Sequence, residues 1–165
     1  MRRVTRGPET MRRLYEGLDA RDADAVASCY APVATFEDPV FRLEGGDVTD
    51  MWRMLIERGR DLRVEHEIVD ATSARWTARY TFGGHPVTNR ITSRFAFNDE
   101  GRILQQLDSF DFPRWAAQAL GLKGRLFGRF RFLRSAVRRA SATSLASWQR
   151  RRGRDGQASS GSQVT

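Results

Sequence analysis

Two acidic residues in apolar company are the first candidates for chemistry. In ATFEDPVF, residues 34–41, Glu37 and Asp38 sit among Ala34, Phe36, Val40 and Phe41, residue types of a core or a cavity wall. A carboxylate held against apolar groups has its pKa raised, toward the range where it can exchange a proton near neutral pH. Pro39 restricts residue 38 to extended backbone, which would aim its side chain reproducibly. The pair also has a plainer role, because aspartate before proline forms turns whose N–H groups its oxygens accept from. His66 lies on the apolar face of a strand pattern, where a satisfied core histidine is commoner than an acid or base. The chain has no glycine-rich phosphate loop, nucleophile elbow or metal-ligand spacing. Cys29 is the single cysteine and there are two histidines, so no structural zinc set exists, and the residues call for no cofactor.

Several elements must hold these side chains. Met11, Leu14, Tyr15 and Leu18 recur at i, i+3, i+4 and i+7, so residues 9–20 read as a helix with one apolar face. Asp22 caps a second helix over residues 23–30, which Pro32 ends. Beyond a break at Gly45-Gly46, Asp47 is expected to cap a third helix, with Val48, Met51, Trp52 and Leu55 on one face and Gly59 closing it. From residue 62 the period changes to two. Leu62, Val64, His66 and Ile68 share one face, then Ala74, Trp76, Ala78, Tyr80 and Phe82, then Val87, Asn89, Ile91, Ser93, Phe95 and Phe97. Gly83-Gly84 marks a hairpin turn, the NDEG segment a second hairpin loop, and RILQQLDSFDF a last strand. Three helices followed by four strands with one wet face describe an α+β domain around a bent antiparallel sheet.

Composition bounds the rest. A chain of 165 residues is one domain with an appendage, and no segment approaches the ~18 apolar residues of a membrane span. The N-terminus is basic without an apolar segment, so no secretory signal is read, and the lone cysteine points to a reducing cytoplasm. The net charge of +8 is concentrated at the end, since residues 123–154 hold 11 Lys or Arg and no acid. There Leu126, Phe130, Leu133 and Val137 form an apolar stripe flanked by arginine. Such a helix either docks on the domain or a partner, or lies on an anionic membrane surface; nucleic acid ranks last, because no aromatic stacking platform accompanies the charge.

The order helix, helix, ATFEDP, helix, then four strands resembles the SnoaL-like branch of the nuclear-transport-factor-2-like superfamily. Ketosteroid isomerase, polyketide cyclases and limonene epoxide hydrolase share that fold. The most specific piece, DADAVASCYAPVATFEDPV at residues 22–40, closely resembles the ketosteroid isomerase stretch that carries the catalytic aspartate, including the tyrosine eight residues earlier, here Tyr30. RFAFNDEGRI and DSFDFPRWAAQALG look like generic bacterial members, and the resemblance covers roughly residues 9–122. It implies a cone-shaped sheet with the N-terminal helices on its concave face, and Asp38 as a proton-shuttling base on the inner wall. The isomerase oxyanion hole needs a tyrosine and a protonated aspartate. Their positions fall on Leu14 and Ser93, with Tyr15 about 100° round the helix from the first. Asp108 matches the acid in the last strand of limonene epoxide hydrolase, but the arginine and second acid of that enzyme fall on Arg90 and Thr92, with Arg90 facing outward.

With Ser93 inward, alternation turns Asn89 and Ile91 inward, and hairpin register does the same for Gln106, Asp108, Phe110 and Phe112. The resulting expectation has residues 1–122 as the cone, 123–152 as a basic helical extension and 153–165 as a disordered tail. Asp38 and Asp108 would be catalytic. Tyr15, Tyr30, Trp52, His66, Trp76, Tyr80, Phe95 and Phe110 would line a pocket for a hydrophobic small molecule, with Asn89, Ser93 and Gln106 orienting its oxygen. The reaction would be cofactor-independent isomerisation, cyclisation or hydration of a polyketide-, terpenoid- or steroid-like compound. The alternative is a non-catalytic binder of such a ligand, tethered by its tail. A homodimer through the outer sheet face is the other expected partner.

Overall fold

The computed structural model describes residues 6–127 and 131–160. Its elements run α1 (Arg6–Ala20), α2 (Ala23–Ser28), β1 (Tyr30–Glu37), β2 (Arg42–Glu44), α3 (Gly46–Arg58), β3 (Arg63–Ile68), β4 (Ser73–Phe82), β5 (His85–Phe97), β6 (Ile103–Ser109), α4 (Phe112–Ala119), α5 (Leu122–Phe127) and α6 (Arg131–Ser160). The strands form one curved, open sheet in the order β2-β1-β6-β5-β4-β3.

The expected four antiparallel strands are β3 to β6. The sheet gains β1 and β2, and β1 runs parallel to β6, so it is mixed. Pro32 concealed β1, because proline breaks a helix and also interrupts a ladder by lacking an N–H. The β1–β6 register indeed shifts between Tyr30 and Thr35, across Pro32. The second helix therefore ends at Ser28, and Tyr30 already belongs to the strand.

Alternation along β3, β4 and β5 is borne out. Val64, Ala74, Trp76, Ala78, Val87, Asn89, Ile91, Ser93 and Phe95 are buried, while Arg63, Glu65, Arg75, Arg79, Arg90 and Arg94 are exposed. The outer face carries cross-strand ion pairs, Arg79–Glu65 at 2.7 Å and Arg75–Glu67 at 3.9 Å. Gly83 and Gly84 both have positive φ, 54° and 84°, which the two-residue turn between β4 and β5 requires.

Met11, Leu14, Tyr15 and Leu18 of α1 and Val48, Met51 and Trp52 of α3 fill the concave side with Phe36, Trp76, Ile91 and Phe95. Asp22 caps α2 as expected, its side chain accepting from the Ala25 N–H. Asp47 does not cap α3. The chain enters that helix through Gly45 at φ 60°, and Asp47 lies in the first turn. Phe112 is buried, but in α4, which Asp111 caps, rather than on the last strand. It packs with Val87, Trp115, Ala116 and Ala119 as a second, smaller cluster.

Helix α6 lies along the cone. Leu145 and Trp148 are buried in the main apolar cluster, and Leu133 and Val137 pack on the second. The Trp148 indole donates to Glu57 Oε2 at 2.9 Å, and Gln149 donates to Asp47 and Asp50. The helix continues to Ser160, past the expected boundary at residue 152. Residues 161–165 of the expected tail, and Phe130 of the apolar stripe, lie outside the described residues. No described helix is long and apolar enough to cross a membrane.

Candidate active site

The curved sheet, α3 and α6 enclose a cavity of about 410 Å³, within the usual size range of small-molecule sites. Seven of the expected residues line it: Asp38, Trp52, Trp76, Tyr80, Asn89, Asp108 and Phe110. Its walls are otherwise mostly apolar.

Asp38 sits in the loop between β1 and β2. Its N–H donates to the Phe41 carbonyl at 2.9 Å, closing the turn. Its Oδ1 accepts the N–H groups of Val40 at 2.6 Å and Phe41 at 2.5 Å. The turn role and the cavity role thus coexist in one side chain: both turn N–H groups go to Oδ1, and the residue lines the cavity. Burial pushes the carboxyl up to about 6, against the opposing pull of those N–H groups and of Arg138 and Arg134.

Asp108 is 8% exposed and stands opposite Ser93 in the β5–β6 ladder. Two hydrogen-bond chains converge on its Oδ1. In one, the Trp76 indole donates to Ser93 Oγ at 2.9 Å, and Ser93 donates to Oδ1 at 2.5 Å. In the other, the Trp52 indole donates to the Tyr30 hydroxyl at 2.7 Å, and that hydroxyl donates to Gln106 Oε1. Gln106 Nε2 then donates to Oδ1 at 3.0 Å.

An indole N–H can only donate, so Tyr30 and Ser93 each accept one bond and keep a hydroxyl proton to give onward. Tyr30, accepting from Trp52, passes its own proton to Gln106, which turns the amide nitrogen toward Asp108. With Ser93 and Gln106 both donating to Oδ1, Oδ2 is the oxygen that carries the proton when Asp108 is neutral. Burial pushes this carboxyl up to about 7, with ionised Asp38 adding to the rise and the Ser93 and Gln106 bonds opposing it.

The other expected site residues stand further back. Tyr30, Ser93 and Gln106 are buried behind the wall and act on Asp108 rather than on cavity contents. Tyr15 is fully buried, stacked on His66 with ring centroids 5.3 Å apart, and neither lines the cavity. The Tyr15 hydroxyl has no well-formed hydrogen bond, and burial raises its pKa, with Asp108 adding to the rise. Phe95 is core, packed face to face on Phe97. Asn89 is buried at the cavity wall with no hydrogen-bond partner among the described residues, so its amide is free for an occupant. The Tyr80 hydroxyl accepts from the Trp115 indole at 2.9 Å and keeps its own proton to donate.

Sequence reasoning missed α6 as a wall. Val137, Ala140, Ser141 and Ser144 line the cavity, and Arg58 from α3 donates to Ser144 Oγ at 2.7 Å. The signal was present: Val137, Ser141, Ser144, Leu145 and Trp148 continue the helical spacing, hidden because serine is not counted as apolar. Among the described residues no group of three or more His, Cys, Asp or Glu could hold a metal ion.

A family model for the SnoaL-like domain matches residues 11–106, and the chain belongs to that family. Solved structures share the fold at low identity. An LEH-like epoxide hydrolase of M. tuberculosis is 21% identical, covering 75% of this chain and 95% of its own, with a TM-score of 0.57. SalBIII, described as an epoxide hydrolase/cyclase-like enzyme in pyran ring formation in polyether salinomycin, is 19% identical, with coverage of 67% and 94% and a TM-score of 0.56. Bal32a, from a soil-derived mobile gene cassette, is 13% identical, with coverage of 66% and 91% and a TM-score of 0.58. No curated protein matches the sequence.

Proposed function

We propose that this protein is a cofactor-independent enzyme that moves protons on a hydrophobic small molecule, with Asp38 as base and Asp108 as acid. The observation that carries the reading is the pair of carboxyls on one apolar cavity, both pushed up by burial. Their surroundings give them roles: two N–H groups and two arginines favour ionised Asp38, whereas Asp108 is the more deeply buried. Near pH 6.5 Asp38 is largely ionised and accepts a proton, while Asp108 is largely neutral and donates through Oδ2.

Asp108 also supplies what the ketosteroid isomerase comparison lacked. A neutral carboxylic acid opposite Ser93 can donate to an oxyanion from the neighbouring strand. For a ketone, Asp38 would take the proton from the carbon beside the carbonyl, Asp108 and Asn89 would hold the enolate oxygen, and the proton would return at another carbon. For an epoxide or alkene, Asp38 would deprotonate the attacking water or hydroxyl while Asp108 protonates the departing oxygen or the alkene carbon. Isomerisation, cyclisation and hydration or hydrolysis all use this one arrangement, and polyketide-, terpenoid- and steroid-like compounds fit a cavity so apolar. The neighbouring folds described as epoxide hydrolase and cyclase-like support the same range.

A second reading, a non-catalytic carrier of such a ligand, is favoured by Leu14, which puts an apolar side chain where the isomerase has its tyrosine donor. The variant Asp38→Asn separates the two against a panel of β,γ-unsaturated ketones, epoxides and β-keto substrates. Turnover by the wild type that Asp38→Asn loses, while still binding the compound, supports the enzyme. Compounds that bind both proteins equally and are turned over by neither leave the carrier.

A further inference from the structure

The turn that carries Asp38 leaves two main-chain carbonyls whose partners come from α6, those of Asp38 and Pro39. Arg138 of α6 reaches both. Its Nη2 donates to the Asp38 carbonyl at 2.9 Å and its Nε to the Pro39 carbonyl at 3.0 Å. Arg134 adds a longer contact to Pro39 at 3.4 Å. A guanidinium presents these donors in a fixed planar fork, so it holds two successive carbonyls in one orientation as a flexible ammonium cannot. The contacts span a sequence separation of about 100 residues, from a helix beyond the stretch that matches the family model.

We propose that Arg138 is a positioning residue for Asp38, and that α6 is thereby part of the active site rather than an appendage. The inference rests on the reading of Asp38 as the cavity base. The turn's polar groups divide cleanly. The Val40 and Phe41 N–H groups go to Asp38 Oδ1, the Asp38 N–H to Phe41, and the Asp38 and Pro39 carbonyls to arginine. Pro39 fixes one backbone angle of the turn, and Arg138 fixes the peptide on either side of it. The helix is itself anchored near its middle by buried Leu145 and Trp148 and by the Arg58–Ser144 bond, which gives the guanidinium a fixed origin. One helical turn thus serves two purposes, with Val137, Ala140 and Ser141 on the cavity and Arg138 on the base.

Arg138 also carries charge. The groups facing Asp38 are Arg138 and Arg134 from α6, Glu37 beside it in β1, Tyr80 from β4 and Asp108 from β6. Glu37 draws off part of the Arg138 charge at 4.0 Å and is itself paired with Arg42 at 3.5 Å. The remaining positive field favours ionised Asp38 and opposes burial.

The test uses the full chain, with amide hydrogen exchange of Val40 and Phe41 and carboxyl-carbon NMR titration of Asp38. In Arg138→Gln, both amides should exchange about tenfold faster and the Asp38 titration should move up by about half a pH unit. Arg138→Lys keeps the charge but not the fork, so exchange should quicken while the titration stays near the wild-type value. Arg134→Gln should leave both within about twofold of wild type. Amide exchange unchanged in Arg138→Gln, with the Trp148 indole signal showing α6 still docked, overturns the proposal. Should Arg138→Gln undock the helix, the Lys variant decides, and unchanged exchange there overturns it equally. A wild-type Asp38 that titrates near its ordinary 3.8 strikes the catalytic reading instead, whatever Arg138 does to the turn.

Discussion

Replacing Asp108 with asparagine should make the protein more stable above neutral pH, by an amount that follows from its burial. The folded carboxyl titrates near 7 and an ordinary aspartate at 3.8, so between those values the folded chain holds a proton that the unfolded chain has released. Stability from the neutral acid is complete below about pH 3.8 and is lost as pH rises through about 7. A gap of about 3 pH units, at ~1.4 kcal/mol each, sets the loss at about 4 kcal/mol. Asparagine reproduces the neutral acid: its Oδ1 can accept from Ser93 and Gln106, and its Nδ2 points where the Oδ2 proton would. Asp108→Asn should therefore match wild type to within about 1 kcal/mol near pH 4, where no charge is buried in either protein. At pH 8 it should exceed wild type by about 2–4 kcal/mol, a rise in Tm of roughly 10 °C for a chain of this size. Urea unfolding followed by tryptophan fluorescence at the two pH values reads the difference, and the slope due to Asp38 largely cancels between the proteins. A variant less stable than wild type at pH 8, or a difference that does not change with pH, would refute the argument that Asp108 is a buried acid held neutral in the fold.

Three further outcomes follow from the same geometry. On any substrate found, kcat/KM should rise with pH through about 6 as Asp38 ionises and fall through about 7 as Asp108 loses its proton; a profile flat between pH 5 and 8 would exclude this acid–base assignment. Ser93→Ala removes a donor that favours the Asp108 carboxylate, so carboxyl-carbon NMR should show Asp108 titrating higher than in wild type, and a fall would show that Ser93 does not donate to it. The proposed contact of residues 123–152 with an anionic surface rests on the outward arginines of α6, Arg139 and Arg150 among them. At about 1 kcal/mol per arginine, full-length protein should sediment with phosphatidylserine vesicles at low salt and be released at high salt, and failure to sediment at low salt ends that proposal.

Much of the cone was legible in the sequence because burial in a helix or strand is periodic, and the period shows in the side chains themselves. Met11, Leu14, Tyr15 and Leu18 announce α1, and the alternation from Val64 to Phe95 announces three strands with their inner faces in correct phase. Phase is a local property, since one residue's direction sets its neighbours'. Asp38 could be singled out as a carboxyl in an apolar stretch, but its place on the inner wall, like the candidacy of Asp108, came from the family resemblance and from hairpin register with Ser93.

Only the tertiary structure decided what each group does, because hydrogen bonds join residues far apart in the chain. β1 was hidden by Pro32, whose missing N–H matters little beside a parallel neighbour that shifts register to absorb it. Gln106 and Ser93 were expected to meet a substrate, yet they meet Asp108, because Trp52 and Trp76 stand where their indole N–H groups orient Tyr30 and Ser93. The basic extension had two readings while its arginines were only charges. In the folded chain, part of that charge is spent on two carbonyls beside Asp38, and Val137, Ala140, Ser141 and Ser144 of α6 line the cavity. Amphipathic spacing specifies that a helix will bury one face. What it is buried against depends on the shape of the rest of the molecule, which no local pattern carries.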